Sequence, residues 1–209
     1  YIGVWIDTWT PEGYKVDLSL NYTDRPKKTV KVMPLVNTIP YVSGQSLPDF
    51  FADVALEQGF NFDKNVKNVK LHYITTGHGG HSGGDEFVKI KNNIWIDNEL
   101  VLDIFPWRDD CASFRRFNPT SGVWLRKDSA SYIDFEAKKY MVKQIEERIA
   151  SSDLSRSNWC PGSKVEPIVI DLGNMPAGEH QLKIGIDGTK AGENKYNHWL
   201  VSAYLTYEE

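Results

Sequence analysis

The residues best suited to chemistry gather around one glycine-rich stretch, Tyr73 to Phe87, which reads Tyr-Ile-Thr-Thr-Gly-His-Gly-Gly-His-Ser-Gly-Gly-Asp-Glu-Phe. It holds five glycines, two histidines and the adjacent acids Asp85 and Glu86. Without a Cβ, glycine lets a loop take φ > 0 and lets another molecule approach its backbone. Ordering so many glycines costs conformational entropy, so a fixed loop of this composition points to a use. The plainer alternative is a solvated hairpin tip. Glu86 is expected where the chain enters a strand over Phe87–Ile96, on a comparatively rigid support. Asp7, in Ile-Asp-Thr-Trp, is a second carboxylate inside an apolar strand stretch. Desolvation makes such acids hold protons more tightly, which suits proton transfer; an outward-facing acid on an alternating strand is the commoner arrangement.

Three further groups of side chains have chemical potential. His72, His78 and His81 lie within ten residues and could hold a metal, although no cysteine cluster or His-Glu-x-x-His pattern accompanies them. Imidazoles on a loop serve equally well as hydrogen-bonding groups. Arg156 with Trp9, Trp124 and Trp159 would suit a neutral polyhydroxylated ligand, by stacking plus bidentate hydrogen bonds, or would form a structural cation–π pair. Cys111 and Cys160 are either two buried thiols or one bridge. A bridge would close a loop of about fifty residues, stabilise by roughly 4 kcal/mol in the chain-entropy model, and staple Arg156 and Trp159 to the strand return after Phe105.

The elements that must carry these groups read as strands. Ile2–Trp9 and Tyr14–Tyr22 predict an antiparallel pair joined by Pro11-Glu-Gly13, and Thr23–Lys28 reads as a linker. Thr29–Val36 is a strand that Pro34 pushes to a sheet edge or a bulge. Ile39–Pro48 is loop-like, Phe50–Phe62 leans toward strand, and Val69–Thr75 alternates well. Asp97-Asn98 marks a turn before Leu100–Phe105. Strands near Val165–Leu172, Gln181–Ile186 and Trp199–Tyr207 close the chain. Ser131–Ala150 is predicted to be the helix of the molecule: Ser131 and Asp134 resemble a capping box, and Phe135, Tyr140, Met141, Ile145 and Ile149 fall on one face. Short strands between Gly/Pro turns, with no βαβ rhythm, predict an all-β antiparallel sandwich or jelly roll with one inserted amphipathic helix. The 209 residues, 41% of them hydrophobic and 12% aromatic, suffice for a packed core. With a net charge of −4 and no basic stripe, nothing suggests nucleic acid, and no segment approaches the roughly 20 apolar residues of a membrane helix.

Thr75-Thr-Gly-His-Gly79, Gly84-Asp-Glu86 and Asn158-Trp-Cys-Pro-Gly162 together resemble the C-terminal domain of the peptide:N-glycosidase F family, and Ile6-Asp-Thr-Trp9 resembles the last strands of that family's N-terminal domain. The resemblance implies two side-by-side antiparallel jelly rolls, an architecture shared with the peptidylglycine monooxygenases, with the active cleft between them. It implies cofactor-free hydrolysis of the amide joining N-acetylglucosamine to asparagine. On the matching positions, Glu86 and Asp7 stand where the family has functional glutamates, Asp7 being one methylene shorter. Trp9 stands for a sugar-contacting tryptophan, Arg156 for a cleft arginine, and Cys111 with Cys160 for a disulfide pair. His78 falls where the best-known member has a tryptophan. The family's principal catalytic aspartate would lie upstream of these residues.

The expectation is therefore an N-glycan-releasing amidase. Residues 1–25 would be the last strands of an N-terminal jelly roll. Residues 26–209 would be the C-terminal jelly roll with a helical insertion at about 131–150, packed against the upstream domain of the same polypeptide. Glu86 and Asp7 are the catalytic candidates; Trp9, Arg156, Trp159, His78 and Asp85 form the substrate-binding set, with no metal and no cofactor. The substrate would be an N-linked glycoprotein or glycopeptide. A disulfide-bearing hydrolase of this kind belongs outside the cytoplasm, secreted, periplasmic or at the cell surface. The alternatives are a non-catalytic carbohydrate- or glycopeptide-binding module and a metal-dependent, monooxygenase-like jelly roll using His72, His78 and His81.

Overall fold

The computed structural model describes residues 15–21, 30–38, 50–80, 83–117, 123–189 and 197–209. Ten strands are named in chain order. They are β1 (Val30–Asn37), β2 (Leu56–Phe62), β3 (Val66–His78), β4 (Asn92–Ile96), β5 (Glu99–Ile104), β6 (Val123–Asp134), β7 (Lys139–Ala150), β8 (Ile168–Met175), β9 (Gly178–Ile186) and β10 (His198–Glu208). A single helical turn, α1 (Phe50–Asp53), precedes β2, and 3-10 turns occupy Cys111–Phe117 and Ser151–Asp153. One sheet has the order β1-β10-β3-β8, the second β2-β9-β4-β5, and every pairing is antiparallel. The fold is the expected antiparallel jelly-roll sandwich.

Period-2 alternation explains both sheets. In β3, Val69, Leu71 and Tyr73 are fully buried while His72 and Ile74 between them are only half-buried. In β10, Trp199, Val201, Ala203 and Leu205 turn inward. They meet Phe60, Phe62, Ile94, Leu182, Ile184 and Ile186 of the second sheet in one continuous core. Asn92 ties the layers together: its Oδ1 accepts from the Tyr73 hydroxyl at 2.7 Å and from Thr75 Oγ1 at 3.1 Å. β1 lies at a sheet edge, and its register shifts between Pro34 and Val36, as a proline lacking an N–H requires.

Several expectations need correction. Ser131–Ala150 is not a helix. It belongs to a two-stranded ribbon, β6 paired with β7 from Val123↔Ala150 to Asp134↔Lys139. Asp134 caps, but it caps a turn: its Oδ1 accepts from the N–H groups of Glu136 at 3.0 Å and Ala137 at 2.8 Å, and Lys138 completes the reversal at φ 50°. The strand expected from Phe87 starts only at Asn92, so Glu86 lies in a turn region and not on a strand. Phe50–Phe62 divides into α1 and β2. Residues 15–21 carry no strand pairing among the described residues, and Val16, Leu18 and Leu20 are exposed. The Ile2–Trp9 strand, the 23–28 linker and the 39–48 loop lie outside the described residues, as do Asp7, Trp9 and His81.

The features that position the site are three connections between sheets. Residues 79–91 run from β3 to β4, residues 105–167 from β5 to β8 by way of the ribbon, and residues 187–197 from β9 to β10. Side chains from all three interlock at one end of the sandwich.

Candidate active site

Asp85 is the hub of that end. It is 1% exposed. Its Oδ2 accepts from Trp199 Nε1 at 2.9 Å and its Oδ1 from Thr189 Oγ1 at 2.6 Å. Its N–H donates to Asn197 Oδ1 at 3.2 Å, and its carbonyl accepts from Ser157 Oγ at 2.6 Å. Expected among the substrate-binding residues, Asp85 instead has both carboxylate oxygens engaged within the protein. Burying a carboxylate is tolerable only with such partners, and here they fix the backbone that carries the next residue.

That residue is Glu86. Its carbonyl accepts from Ser157 N–H at 3.0 Å, and its side-chain Oε1 accepts from Arg156 Nε at 2.9 Å. The side chains of this ion pair are only 12% and 5% exposed. Glu86 Oε2 has no hydrogen-bond donor among the described residues. A methyl group at Gly80 would sit 3.5 Å from it, so a larger side chain there would cover the carboxylate. Gly77 is needed for closeness: a Cβ would come within 2.8 Å of Ser157 and of the Trp199 ring.

Arg156 is held from all sides. Its Nη2 donates to the Ser151 carbonyl at 2.7 Å, and its backbone exchanges hydrogen bonds with Arg108 at 2.8 and 2.9 Å. The guanidinium lies 4.7 Å from the Trp159 ring and 5.1 Å from that of Phe87. Its Nη1 is buried with no hydrogen-bond partner, which leaves a donor to be satisfied by something outside this chain's described residues. Cys111 and Cys160 form a disulfide, S–S 2.00 Å, which pins the Arg156–Trp159 segment to the 3-10 turn at Cys111–Phe117.

His78 extends the stack. Its ring is 5.1 Å from Trp159 and 4.8 Å from His198, and its Nε2 is 2.9 Å from Thr76 Oγ1. The result is a column of five flat groups: His198, His78, Trp159, Arg156 and Phe87. Burial, then the neighbouring His198 and the charge on Arg156, push His78 down to about 3; burial brings His198 down to about 4. Both imidazoles are neutral at pH 7, so the one cation in the column is the arginine. Trp159 Nε1 donates to the Gly77 carbonyl at 3.0 Å, which locks the indole to the glycine loop.

Of the expected residues, the structure thus brings together Glu86, Arg156, Trp159 and His78, with Asp85 beneath them. His72 is elsewhere on β3, stacked on Tyr204 at 4.6 Å and bonded to Thr206, so it does not join His78 as a ligand pair. Among the described residues no cluster of three or more His, Cys, Asp or Glu could hold a metal. Trp124 is the second residue of β6, and its side chain lies outside the described ones. Sequence reasoning missed Ser157, Thr189, Asn197 and Phe87. Ser157 adjoins Arg156 and was within reach of it; Thr189 is 104 residues from Asp85, and no local signal links them.

A disulfide-pinned jelly roll presenting a Glu–Arg pair at the mouth of a glycine loop defines the class. The profile of a family described as peptide-N-glycosidase F, C terminal, matches residues 46–206. The solved structure of PNGF-II in a C2 crystal form is 39% identical, with a TM-score of 0.70 over 86% of this chain and 30% of that one. Its P21 form gives 39% and 0.69 over the same shares. Recombinant peptide:N-glycanase F (PNGase F) is 13% identical, with a TM-score of 0.56 over 86% of this chain and 52% of that one, a likeness of fold. A comparison with curated protein sequences returned no match. The chain belongs to the peptide-N-glycosidase F family, to its C-terminal domain, and spans 30% and 52% of the lengths of these two relatives.

Proposed function

We propose that this chain is the C-terminal part of an amidase that releases N-glycans from glycoproteins or glycopeptides. The observation that carries the reading is the half-occupied Glu86 carboxylate: Oε1 is clamped by a buried arginine, and Oε2 has no donor among the described residues. A carboxylate fixed at one oxygen and open at the other can accept a proton or orient a water without reorganising. The Arg156 guanidinium beside it holds the Glu86 carboxylate in place, and its buried Nη1 is a further donor with no partner among the described residues.

In the reaction, a water oxygen bonds to the side-chain amide carbon of the glycosylated asparagine and the C–N bond breaks. The asparagine becomes aspartate, and the nitrogen leaves with a proton as a glycosylamine. In this reading an aspartate of the upstream domain activates the water, while Glu86 and Asp7 position it and handle protons near the nitrogen. Trp9, Trp159 and Arg156 hold the two sugars nearest the asparagine, with His78 at the edge of the stack. The chain packs against an N-terminal jelly roll of the same polypeptide, to which residues 1–25 belong, and the disulfide suits an oxidising compartment outside the cytoplasm.

The test is incubation of the full-length protein with a denatured N-glycoprotein, reading both free glycan and the conversion of the linked asparagine to aspartate. Both products are expected together. Glycan binding with neither product would replace the enzyme by a carbohydrate-binding module.

A further inference from the structure

A cleft adjoins the loop that carries Arg156, with Asn158, Gly162 and Ser163 in its lining. It has a volume of about 510 Å³, and the rest of its lining is Arg108, Phe114, Phe117, Lys164 and Glu166. That is within the range of small-molecule sites. We infer that this cleft is a second carbohydrate subsite, which takes the outer sugars of a neutral oligosaccharide whose inner end lies at Glu86. The inference rests on the reading that the ligand is an N-glycan.

Its walls are built rather than incidental. Arg108 donates from Nε and Nη2 to Asp110 at 2.9 and 2.8 Å, and from Nη1 to Ser163 Oγ at 2.9 Å. The same guanidinium covers the Phe114 ring at 4.9 Å. Phe117 is 58% exposed, yet Gly162, at φ +86°, packs so closely that a Cβ there would come within 2.8 Å of the Phe117 Cβ. The Arg116 guanidinium lies 4.5 Å from the Phe117 ring, and the exposed remainder of that ring offers apolar surface to a sugar face. The rest of the lining mixes signs: Lys164 and Glu166 form an ion pair, and Asn158 is uncharged. Donors and acceptors placed side by side suit hydroxyl groups, which are both, better than they suit an anion or an apolar ligand.

Position links the cleft to Glu86. Asn158 lines the cleft, while its Nδ2 donates to the Thr75 carbonyl at 2.8 Å at the base of the glycine loop. Its neighbour Trp159 faces the Arg156 stack. One loop, anchored by Cys160, thus presents one surface to each region. A chain of several sugars crossing that loop would touch both; a disaccharide at Glu86 would touch one.

The experiment compares binding of a free high-mannose oligosaccharide and of chitobiose alone to the full-length protein, by calorimetric titration. The long glycan is expected to bind about tenfold tighter, a factor worth 1.4 kcal/mol. Phe117→Ala and Lys164→Ala are expected to remove that difference while leaving chitobiose binding unchanged. Equal affinity for the two glycans, or an advantage that survives both substitutions, would overturn the subsite. A loss of affinity in the variants that is as large for chitobiose as for the long glycan would also overturn it. Absence of turnover with the binding pattern intact would count against the amidase alone.

Discussion

Two parts of this molecule are ordered in opposite ways. At the end of the sandwich, residues 83–91 and 154–163 make almost no regular secondary structure, yet side chains lock them together: Asp85 to Thr189 and Trp199, Ser157 to Asp85 and Val88, Glu86 to Arg156. The β6–β7 ribbon is the reverse. Its backbone is paired along twelve residues of each strand, while Phe135, Tyr140 and Val142 are 84%, 79% and 65% exposed. The comparison teaches that regular hydrogen bonding and tertiary anchoring are separable, and that here the candidate chemistry sits where anchoring is greatest.

The comparison breaks most readily at Asp85. Asp85→Ala leaves the Trp199 indole N–H and the Thr189 hydroxyl without their acceptor in a buried place, and is expected to cost about 3 kcal/mol or more. Urea denaturation measures it; a loss below about 1 kcal/mol would mean that the hub is not what holds the three connections.

Acid sharpens the comparison next. His78 titrates near 3 in the folded protein, well below the ordinary 6.5, so between those values the unfolded chain binds more protons. The stability contributed by its neutral form is complete above pH 6.5 and is lost as pH falls, by roughly 1 kcal/mol per unit. His78→Gln is expected to flatten the acid limb of a stability–pH profile, and an unchanged slope would contradict the stack. His180, at the Asp97 turn, has the opposite sign. Burial lowers it, but hydrogen bonds from its ring to Asp97 and the Pro176 carbonyl, with the charge of Asp97, raise it overall. Its contribution is complete below 6.5 and is lost as pH rises from there through the raised value, so His180→Gln is expected to flatten the profile just above 6.5.

The ribbon should yield the smallest effects. Phe135→Ser and Tyr140→Ser remove side chains that touch little, and each is expected to change stability by less than about 0.5 kcal/mol. A loss of 2 kcal/mol in thermal or chemical unfolding of the full-length protein would show that something covers the ribbon.

The same contrast decides what could be read from residues alone. β3 and β10 were legible because one sheet face is buried and the other is not, so alternation survives in Val69, Leu71, Tyr73 and in Trp199, Val201, Ala203, Leu205. The ribbon was misread because Met141, Ile145 and Ile149 are spaced by four. That spacing is nearly one helical turn and also an even number, so the three share a face in either structure. Asp134 compounded the ambiguity, since one carboxylate caps a turn and a helix by the same bonds. In the site, the structure pairs Glu86 with Arg156 and closes the Cys111–Cys160 bridge, which the residues alone left open and the family resemblance implied. The assignment of Glu86 to a strand failed because its rigidity comes from Asp85, Ser157 and Thr189, and partners so distant leave no local pattern.

The central claim is that Glu86 is a working group and not a staple for Arg156. Glu86→Gln keeps an acceptor for Arg156 Nε and replaces the open oxygen with a donor. In the full-length protein, glycan release from a glycopeptide is expected to fall at least a hundredfold at a temperature where circular dichroism shows the variant still folded. Unchanged release, with or without a drop in stability, would contradict it.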